Sequence, residues 1–431
     1  MLGTTTPDGR SQDGTTVAIV GLGYTGLPLA VAFAEAGLRT IGYDIDEERV
    51  RSLAAFSSYL PDVADAQLLA VSDHLGVTSR AEMLDAADTF VICVPTPTTD
   101  KGKADLRHVN AAADVVSGYV HENSLVVLQS TVPPGTTSAL ADRIGERTGL
   151  TPGREFHVAM APERINPASG GKWTLRNTPR VIGGLTSECT RRAALLFGRI
   201  TDSVFPVGTA ETAEVAKAFE NTFRLVNIAL TYELADLCDL AGASAREVIE
   251  AAATKPYGFL AHWPGPGVGG ECIPVDPLFL KDYAYYGGVA MPLLEAAHRQ
   301  VRQRPQRVVD RLADLLRAKG GDLAGSRVLV AGVTYKPGVA DTRNAPGLDV
   351  VRELRRRSAK PRYTDPFLPE LVVDGEPVER ADWIRESVAA HDCVVLVTPH
   401  RELLDRPLWY AAPLVLDTWQ TLPRGDGIHH L

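Results

Sequence analysis

The sequence predicts an α/β protein in which two doubly wound domains are joined by a helical middle domain containing one long helix. Three observations carry this. Over the first 200 residues short apolar runs alternate with helical stretches, the pattern of a parallel sheet covered on both faces. From Glu211 to Leu240 there is no glycine or proline, and alanine, leucine and glutamate are common. After Lys319-Gly320-Gly321 the alternation of apolar run and helix returns.

The elements follow in order. Residues 1–15 are polar, lack an apolar signal core and read as a disordered leader. Residues 16–206 form the first doubly wound domain, with strands at 17–20, 40–43, 90–94, 125–128, 158–160 and 181–182. The glycine-free run reads as one helix of about 30 residues, near 45 Å long at 1.5 Å per residue. That is too long for one small domain, so it links domains or forms a dimer interface. It opens a helical domain over 207–320, whose second helical block runs from about 291 to 319, with Pro305 as a kink or restart. Residues 321–431 form the second doubly wound domain, with strands at 328–331, 361–364, 393–397 and 414–417.

Composition narrows the function. The chain has 431 residues, 45% hydrophobic and 23% charged, which excludes a disordered or fibrous protein. No apolar run is long enough to span a membrane. A net charge of -9 gives no basic surface for nucleic acid. The five cysteines contain no Cys-x-x-Cys pair, which argues against a disulfide framework and a zinc site and points to a reducing, cytoplasmic compartment. No metal is expected.

The first strand runs into Gly21-Leu22-Gly23-Tyr24-Thr25-Gly26 and then an apolar helix. Gly21 permits the tight turn, Gly23 lets the backbone approach a pyrophosphate, and Gly26 allows close helix–strand packing. The helix N-terminus faces the phosphates with its partial positive charge. Asp44 ends the next strand, 18 residues beyond Gly26. A carboxylate there hydrogen-bonds a ribose 2′-hydroxyl and repels a 2′-phosphate, so NAD is expected rather than NADP.

Glycine and proline fill more than half of residues 263–277, and Cys272 stands within this segment. Asp276 follows four residues later, so a helix starting here would set both side chains on one face. A lone cysteine is more often a small buried hydrophobe. The glycine-rich surroundings favour a presented nucleophile for Cys272 alone. On the long helix Lys217, Asn221 and Arg224 share a face at i, i+4, i+7, with Asn227 toward its edge. Strand ends add Ser130-Thr131-Val132-Pro133 and Pro162-Glu163-Arg164, on the same sheet edge as the glycine turn. Arg299, Arg302, Arg304 and Arg307 read as a solvated helix face.

Taken together, these residues resemble the UDP-glucose/GDP-mannose dehydrogenase family, the nucleotide-sugar 6-dehydrogenases. The resemblance runs from about Val17 to Thr418. It includes Cys93-Val94-Pro95-Thr96-Pro97, Gly269-Gly270-Glu271-Cys272-Ile273-Pro274-Val275-Asp276-Pro277, Tyr335-Lys336-Pro337 and Asp341-Thr342-Arg343. It implies an N-terminal NAD-binding Rossmann domain, a dimerising middle and a C-terminal nucleotide-sugar domain. It also implies a four-electron oxidation of a sugar C6 alcohol to the uronate through a thiohemiacetal and a thioester on Cys272, the reason a dehydrogenase needs a thiol.

By the same resemblance Lys217 and Asn221 stabilise the oxyanion, Asp276 assists proton transfer and keeps Lys217 placed, and Glu163 with Thr131 positions the hydrolytic water. NAD is held by Gly21, Gly23, Tyr24, Gly26, Asp44, Arg49, Pro95, Thr96, Thr131 and Arg343. The sugar nucleotide is held by Glu163, Arg164, Lys217, Asn221, Arg224, Tyr257, Phe259, Gly269 and Lys336, with residues 257–267 wrapping sugar and base. A homodimer through the long helix is implied.

Several positions depart from the family pattern. Glu271 stands where many relatives have His, and is expected to point away from Cys272. Val301 and Arg304 fall in the usual Asn-x-x-Met-Pro, and Ala345 in Arg-Glu-Ser-Pro. Rival readings are a single-hydride β-hydroxyacid dehydrogenase, which needs neither the thiol nor a second doubly wound domain, and a silent NAD- or nucleotide-sugar-binding protein. Pro162-Glu163-Arg164-Ile165-Asn166-Pro167 and Pro264-Gly265-Pro266-Gly267 look most like the UDP-N-acetylhexosamine branch, with UDP-glucose and dTDP-glucose as alternatives.

Overall fold

The computed structural model describes residues 14–99, 102–165, 172–405, 407–423 and 425–431. All but the last two residues of the expected leader, and Asn166-Pro167 of the sugar-branch signature, lie outside these. Contacts gather into two compact units. One is the chain up to Glu220 together with Leu278–Gly287; the other is Asn221–Pro277 together with Gly288–Leu431.

In the first unit the described strands are β1 (Thr16–Val20), β2 (Arg39–Tyr43), β3 (Leu75–Thr78), β4 (Thr89–Ile92), β5 (Leu125–Leu128), β6 (His157–Met160), β7 (Arg180–Gly184) and β8 (Val204–Val207). They form one sheet in the order β3-β2-β1-β4-β5-β6-β7-β8. Helices α1 (Gly26–Glu35), α2 (Glu47–Ala54), α3 (Asp65–Ala70), α4 (Arg107–Ser117), α5 (Thr136–Thr148) and α6 (Ser187–Phe197) accompany it. Every residue of β1, β4, β5 and β6 is buried, which explains why these strands read as unbroken apolar runs. Alternate residues feed two cores: Val127 joins Ile19, Phe33 and Phe197 on one face, and Val126 joins Phe90, Phe156 and Ile144 on the other. The parallel expectation fails at one pair. β7 runs antiparallel to β6, and the described residues between them contain no crossover helix. β3 and β8, short and half-exposed and carrying Gly76 and Pro206, were not among the expected strands.

α7 (Ala210–Ala241) is the expected long helix, 32 residues in one piece. α8 (Ala245–Ala253), α9 (Cys272–Tyr286) and α10 (Pro292–Ala318) follow. Pro305 neither breaks nor restarts α10. It forfeits one hydrogen bond and crowds the carbonyl of Val301, together about 3 kcal/mol. The helix meanwhile buries Leu294, Val301, Val308 and Leu312 along one stripe, each worth about 1.5–3 kcal/mol. Packing therefore wins.

The second unit contains a parallel sheet in the order β10-β9-β13-β14-β15. Its strands are β9 (Arg327–Ala331), β10 (Lys360–Thr364), β13 (Cys393–Leu396), β14 (Val415–Asp417) and β15 (Ile428–His430). A two-stranded piece, β11 (Val372–Val373) with β12 (Glu376–Pro377), lies outside it, and α11 (Pro346–Arg356) contacts α10, β10 and β11.

A buried carboxylate ties α7 to the first sheet unit. Glu214 accepts hydrogen bonds from Gly135 N (2.6 Å), Thr137 N (2.7 Å) and Thr137 Oγ1 (2.6 Å), meeting the free N–H groups at the start of α5. Burial pushes its carboxyl above the usual range against the pull of these donors. A folded value raised above the unfolded one means stability from this group is full at acid pH and declines as pH rises through the folded value. Glu214→Gln should flatten that dependence, and Glu214→Ala should cost about 2–4 kcal/mol by stranding buried donors. Urea unfolding midpoints followed from pH 4 to 8 check both.

Candidate active site

The carboxyl edge of the first sheet collects the expected cofactor residues other than Arg343, which belongs to the second unit. Gly21 adopts φ +96° and donates to Tyr43 O at 2.8 Å. A Cβ on Gly26 would lie 1.8 Å from Gly21 O, so only glycine lets α1 start there. A Cβ on Gly23 would meet nothing within 4 Å, leaving that backbone open to an incoming phosphate. Asp44 Oδ2 accepts from Leu22 N at 2.7 Å and Oδ1 from Asp46 N at 2.9 Å. Arg49 stands 3.6 Å from Asp44 and 3.3 Å from Asp46. Tyr24 is exposed, and Tyr59, which the sequence did not single out, hydrogen-bonds Leu22 O. Thr96 Oγ1 donates to Thr131 O at 2.6 Å, joining the ends of β4 and β5, with Pro95 exposed beside it. An open glycine turn facing a carboxylate fits a dinucleotide whose ribose hydroxyls are free.

Glu163, just beyond β6, is held on both oxygens. Arg164 N (2.7 Å) and Ile165 N (2.9 Å) donate to Oε1; Gln129 Nε2 (2.8 Å) and Arg180 Nη2 (3.4 Å) reach Oε2. This carboxylate is a fixed anion on the sheet edge. Gln129 and Arg180 escaped the sequence reading, and neither belongs to a motif; only folding brings β7 and the end of β5 to Glu163. Arg164 pairs with Glu220 at 2.6 Å, so its charge is already matched. Lys217 is half-buried on α7.

The second unit carries the thiol. Of the five cysteines Cys272 alone is exposed, and burial pushes the Cys93 and Cys393 thiols up. Cys272 is the first residue of α9, at the positive end of its dipole. Asp276, one turn on and buried, accepts from Asn221 Nδ2 at 2.6 Å. Arg224, Tyr257 and Phe259 are exposed.

Glycine is obligatory before the thiol. A Cβ on Gly269 would lie 2.7 Å from Tyr335 Cβ. Gly270 has φ +81° and donates to Arg343 O at 2.9 Å, while Asn344 Nδ2 donates to Gly270 O at 3.0 Å. Lys336 Nζ sits 5.4 Å from the Tyr335 ring centroid.

The departures have local partners. Glu271 pairs with Arg343 at 2.6 Å, and Arg343 also chelates Asp341. Val301 is buried with Leu225, Ala229 and Tyr232, and Ala345 is buried too. Arg304 corrects the expected solvated face. It is 2% exposed, donating to Gly265 O and Asp236 Oδ1, each at 3.1 Å, with its guanidinium over the Tyr232 ring. Arg299, Arg302 and Arg307 remain exposed.

Residues 15–201 match the NAD binding domain of the UDP-glucose/GDP-mannose dehydrogenase family, 211–301 its central domain and 329–424 its UDP binding domain. A UDP-N-acetyl-D-mannosamine dehydrogenase of Pyrococcus horikoshii is 35% identical over 390 residues, 90% of each chain. A UDP-D-ManNAc dehydrogenase structure from the same organism superposes with a TM-score of 0.88, at 32% identity, over 96% of this chain and 99% of that one. A UDP-glucose dehydrogenase from Pyrobaculum islandicum gives 0.84 at 26% identity, over 96% and 98%.

Asp44→Asn keeps an acceptor for Leu22 N and removes the charge. Its KM for NAD should rise about tenfold while turnover with NADP improves, since one good hydrogen bond and one repulsion are worth about 1.4 kcal/mol each way. Steady-state kinetics with both cofactors measure this.

Proposed function

The chain belongs to the UDP-glucose/GDP-mannose dehydrogenase family and is an NAD-dependent nucleotide-sugar dehydrogenase, and on that premise we propose that it oxidises the C6 alcohol of UDP-N-acetyl-D-mannosamine to the uronate through Cys272. The observation that carries the proposal is Cys272 itself, exposed at the first turn of α9 with Asp276 one turn behind it. A single-hydride dehydrogenase has no use for such a thiol. The substrate follows relatives bearing that activity in their names at 30–35% identity across nine-tenths of the chain.

When bound, NAD accepts a hydride at each of the two oxidation stages. Gly21, Gly23, Gly26 and Asp44 hold it, with Tyr24, Arg49, Pro95, Thr96 and Thr131 around them. Lys217 and Asn221 stabilise the alkoxide as the C6 hydroxyl loses its proton. Cys272 Sγ bonds to C6 of the aldehyde, and the resulting oxyanion rests on the same two residues. Oxidation of that thiohemiacetal leaves a thioester. Water then adds at C6, the C–S bond breaks, and the thiol and carboxylate are released. Asp276 takes part in proton transfer through its link to Asn221. Glu163, already anchored by Arg180 and Gln129, orients the water with Thr131. Lys336, Arg164, Arg224, Tyr257, Phe259 and Gly269 contact the sugar nucleotide.

The division into an NAD domain (16–206), a pairing domain (207–320) and a nucleotide-sugar domain (321–431) belongs to the same reading. So does a homodimer through α7, supported by its exposed Phe219, Phe223, Leu230 and Leu237.

NADH produced per sugar consumed tests the chemistry, with limiting UDP-N-acetylmannosamine, UDP-N-acetylglucosamine, UDP-glucose and dTDP-glucose in separate reactions. Two NADH per UDP-N-acetylmannosamine are expected. One per sugar would remove the thioester route, and turnover of another sugar alone would replace the substrate. Cys272→Ser should abolish uronate formation, a loss of at least about 10³-fold.

A further inference from the structure

The second unit contains a fully buried imidazole with no part in the chemistry above. His400 is 0% exposed and sits in the loop just beyond β13, across from the turn that carries Lys336. Its Nδ1 lies 3.3 Å from Gly338 N, and an amide nitrogen can only donate, so Nδ1 is the accepting nitrogen. The proton of the neutral ring therefore sits on Nε2, which is 3.0 Å from both Asp365 Oδ2 and Thr334 Oγ1. Thr334 Oγ1 in turn donates to Lys336 O at 3.2 Å, and Thr398 Oγ1 donates to Thr334 O at 2.6 Å. The imidazole thus grips the turn at both ends, Thr334 through Nε2 and Gly338 through Nδ1, with Lys336 between them.

The partner carboxylate is built to stay charged. Val333 N (2.8 Å) and Thr334 N (3.3 Å) donate to Asp365 Oδ2, and Phe367 N (2.9 Å) donates to Oδ1. Burial pushes Asp365 up, but the hydrogen bonds from His400, Val333 and Phe367 outweigh it and hold the carboxyl below its usual range. The Phe367 ring closes over the imidazole at 5.1 Å. The turn also bears Tyr335, whose ring packs so closely on Gly270 that a Cβ there would lie 3.1 Å from Cε2. Cys272 begins its helix two residues later.

We propose that His400 is a positioning residue, fixing the 334–338 turn so that Lys336 is presented to the sugar nucleotide and Tyr335 to Gly269 and Gly270. The assignment of Lys336 rests on the proposed function; the grip of His400 on the turn does not.

Two variants separate the ring nitrogens. His400→Gln keeps a donor near the Nε2 position and loses the acceptor for Gly338; His400→Asn keeps an acceptor near Nδ1 and loses the donor to Asp365. KM and kcat are measured for the nucleotide sugar and for NAD. Hydrogen exchange of the peptide spanning the turn is followed by mass spectrometry, with and without UDP.

His400→Gln should raise the KM for the nucleotide sugar about tenfold, leave the KM for NAD within about twofold, and speed exchange in the turn, the scale of one lost hydrogen bond to a buried N–H. His400→Asn should recover much of the Gly338 protection. Equal effects of the two variants, confined to a lower urea midpoint, would reduce His400 to core packing and overturn the proposal, as would unchanged exchange in both. A wild type that turns over none of the sugars, yet shows the same loss of turn protection in His400→Gln, would sink the proposed substrate and leave the role of His400 standing.

Discussion

The hydrogen bond from Asn221 to Asp276, 2.6 Å long and buried, is the constraint on which the placement of the thiol depends. α9 is a poorly self-supporting helix at its start. Pro277 has no N–H to return to the carbonyl of Ile273, so the turn that bears Cys272 lacks one of its own bonds. A tie from a neighbouring helix replaces it. Asn221 sits on the uninterrupted α7, so the contact fixes the first turn of α9 against that helix.

The approach to the thiol is constrained from the other side as well. Gly269 and Gly270 lie against Tyr335 with no room for a side chain, and Gly270 exchanges main-chain and side-chain hydrogen bonds with Arg343 and Asn344. Glu271 makes sense within this clamp. Placed next to Cys272, an unmatched carboxylate would oppose a thiolate; paired with Arg343 at 2.6 Å, its charge is met. Arg304 shows a related adjustment. A buried guanidinium is expensive unless its donors are used, and here two are spent on Gly265 O and Asp236 while the ring of Tyr232 lies beneath it. Substitutions that look disruptive along the chain are therefore locally consistent in space.

What could be read in the sequence was whatever is decided locally. The Gly21 turn, the buried strands, the uninterrupted α7 and the Cys272–Asp276 spacing each depend on residues within a few positions of one another, so pattern and geometry coincide. Gln129, Arg180 and His400 were not legible for the opposite reason. Their partners are 34, 17 and 35 residues away or more, and no periodicity marks them. The direction of β7 was hidden likewise, since an apolar pair of residues does not reveal which way its strand runs. Arg304 misled because its neighbours Arg302 and Arg307 are exposed, and a charge count cannot tell which member of a run faces inward.

The two sheet units use the same turn to different ends, and the difference locates where a ligand can go in each. In the first, Gly21 at φ +96° donates to Tyr43 O at 2.8 Å, and Asp44 accepts from Leu22 N at 2.7 Å. In the second, Gly332 at φ +78° donates to Thr364 O at 2.8 Å, and Asp365 accepts from Val333 N at 2.8 Å. Gly26 starts α1 and Gly347 lies in the first turn of α11, each too close to the preceding turn for a Cβ. Around Asp44 stands a half-exposed Arg49, and the Gly23 backbone is open. Around Asp365 stand His400 and Phe367, so the carboxylate that would bind a ribose is consumed inside the protein. A dinucleotide fits the first turn and is shut out of the second. In the second unit the place a ribose would take is filled by the imidazole, which holds the 334–338 turn from beneath.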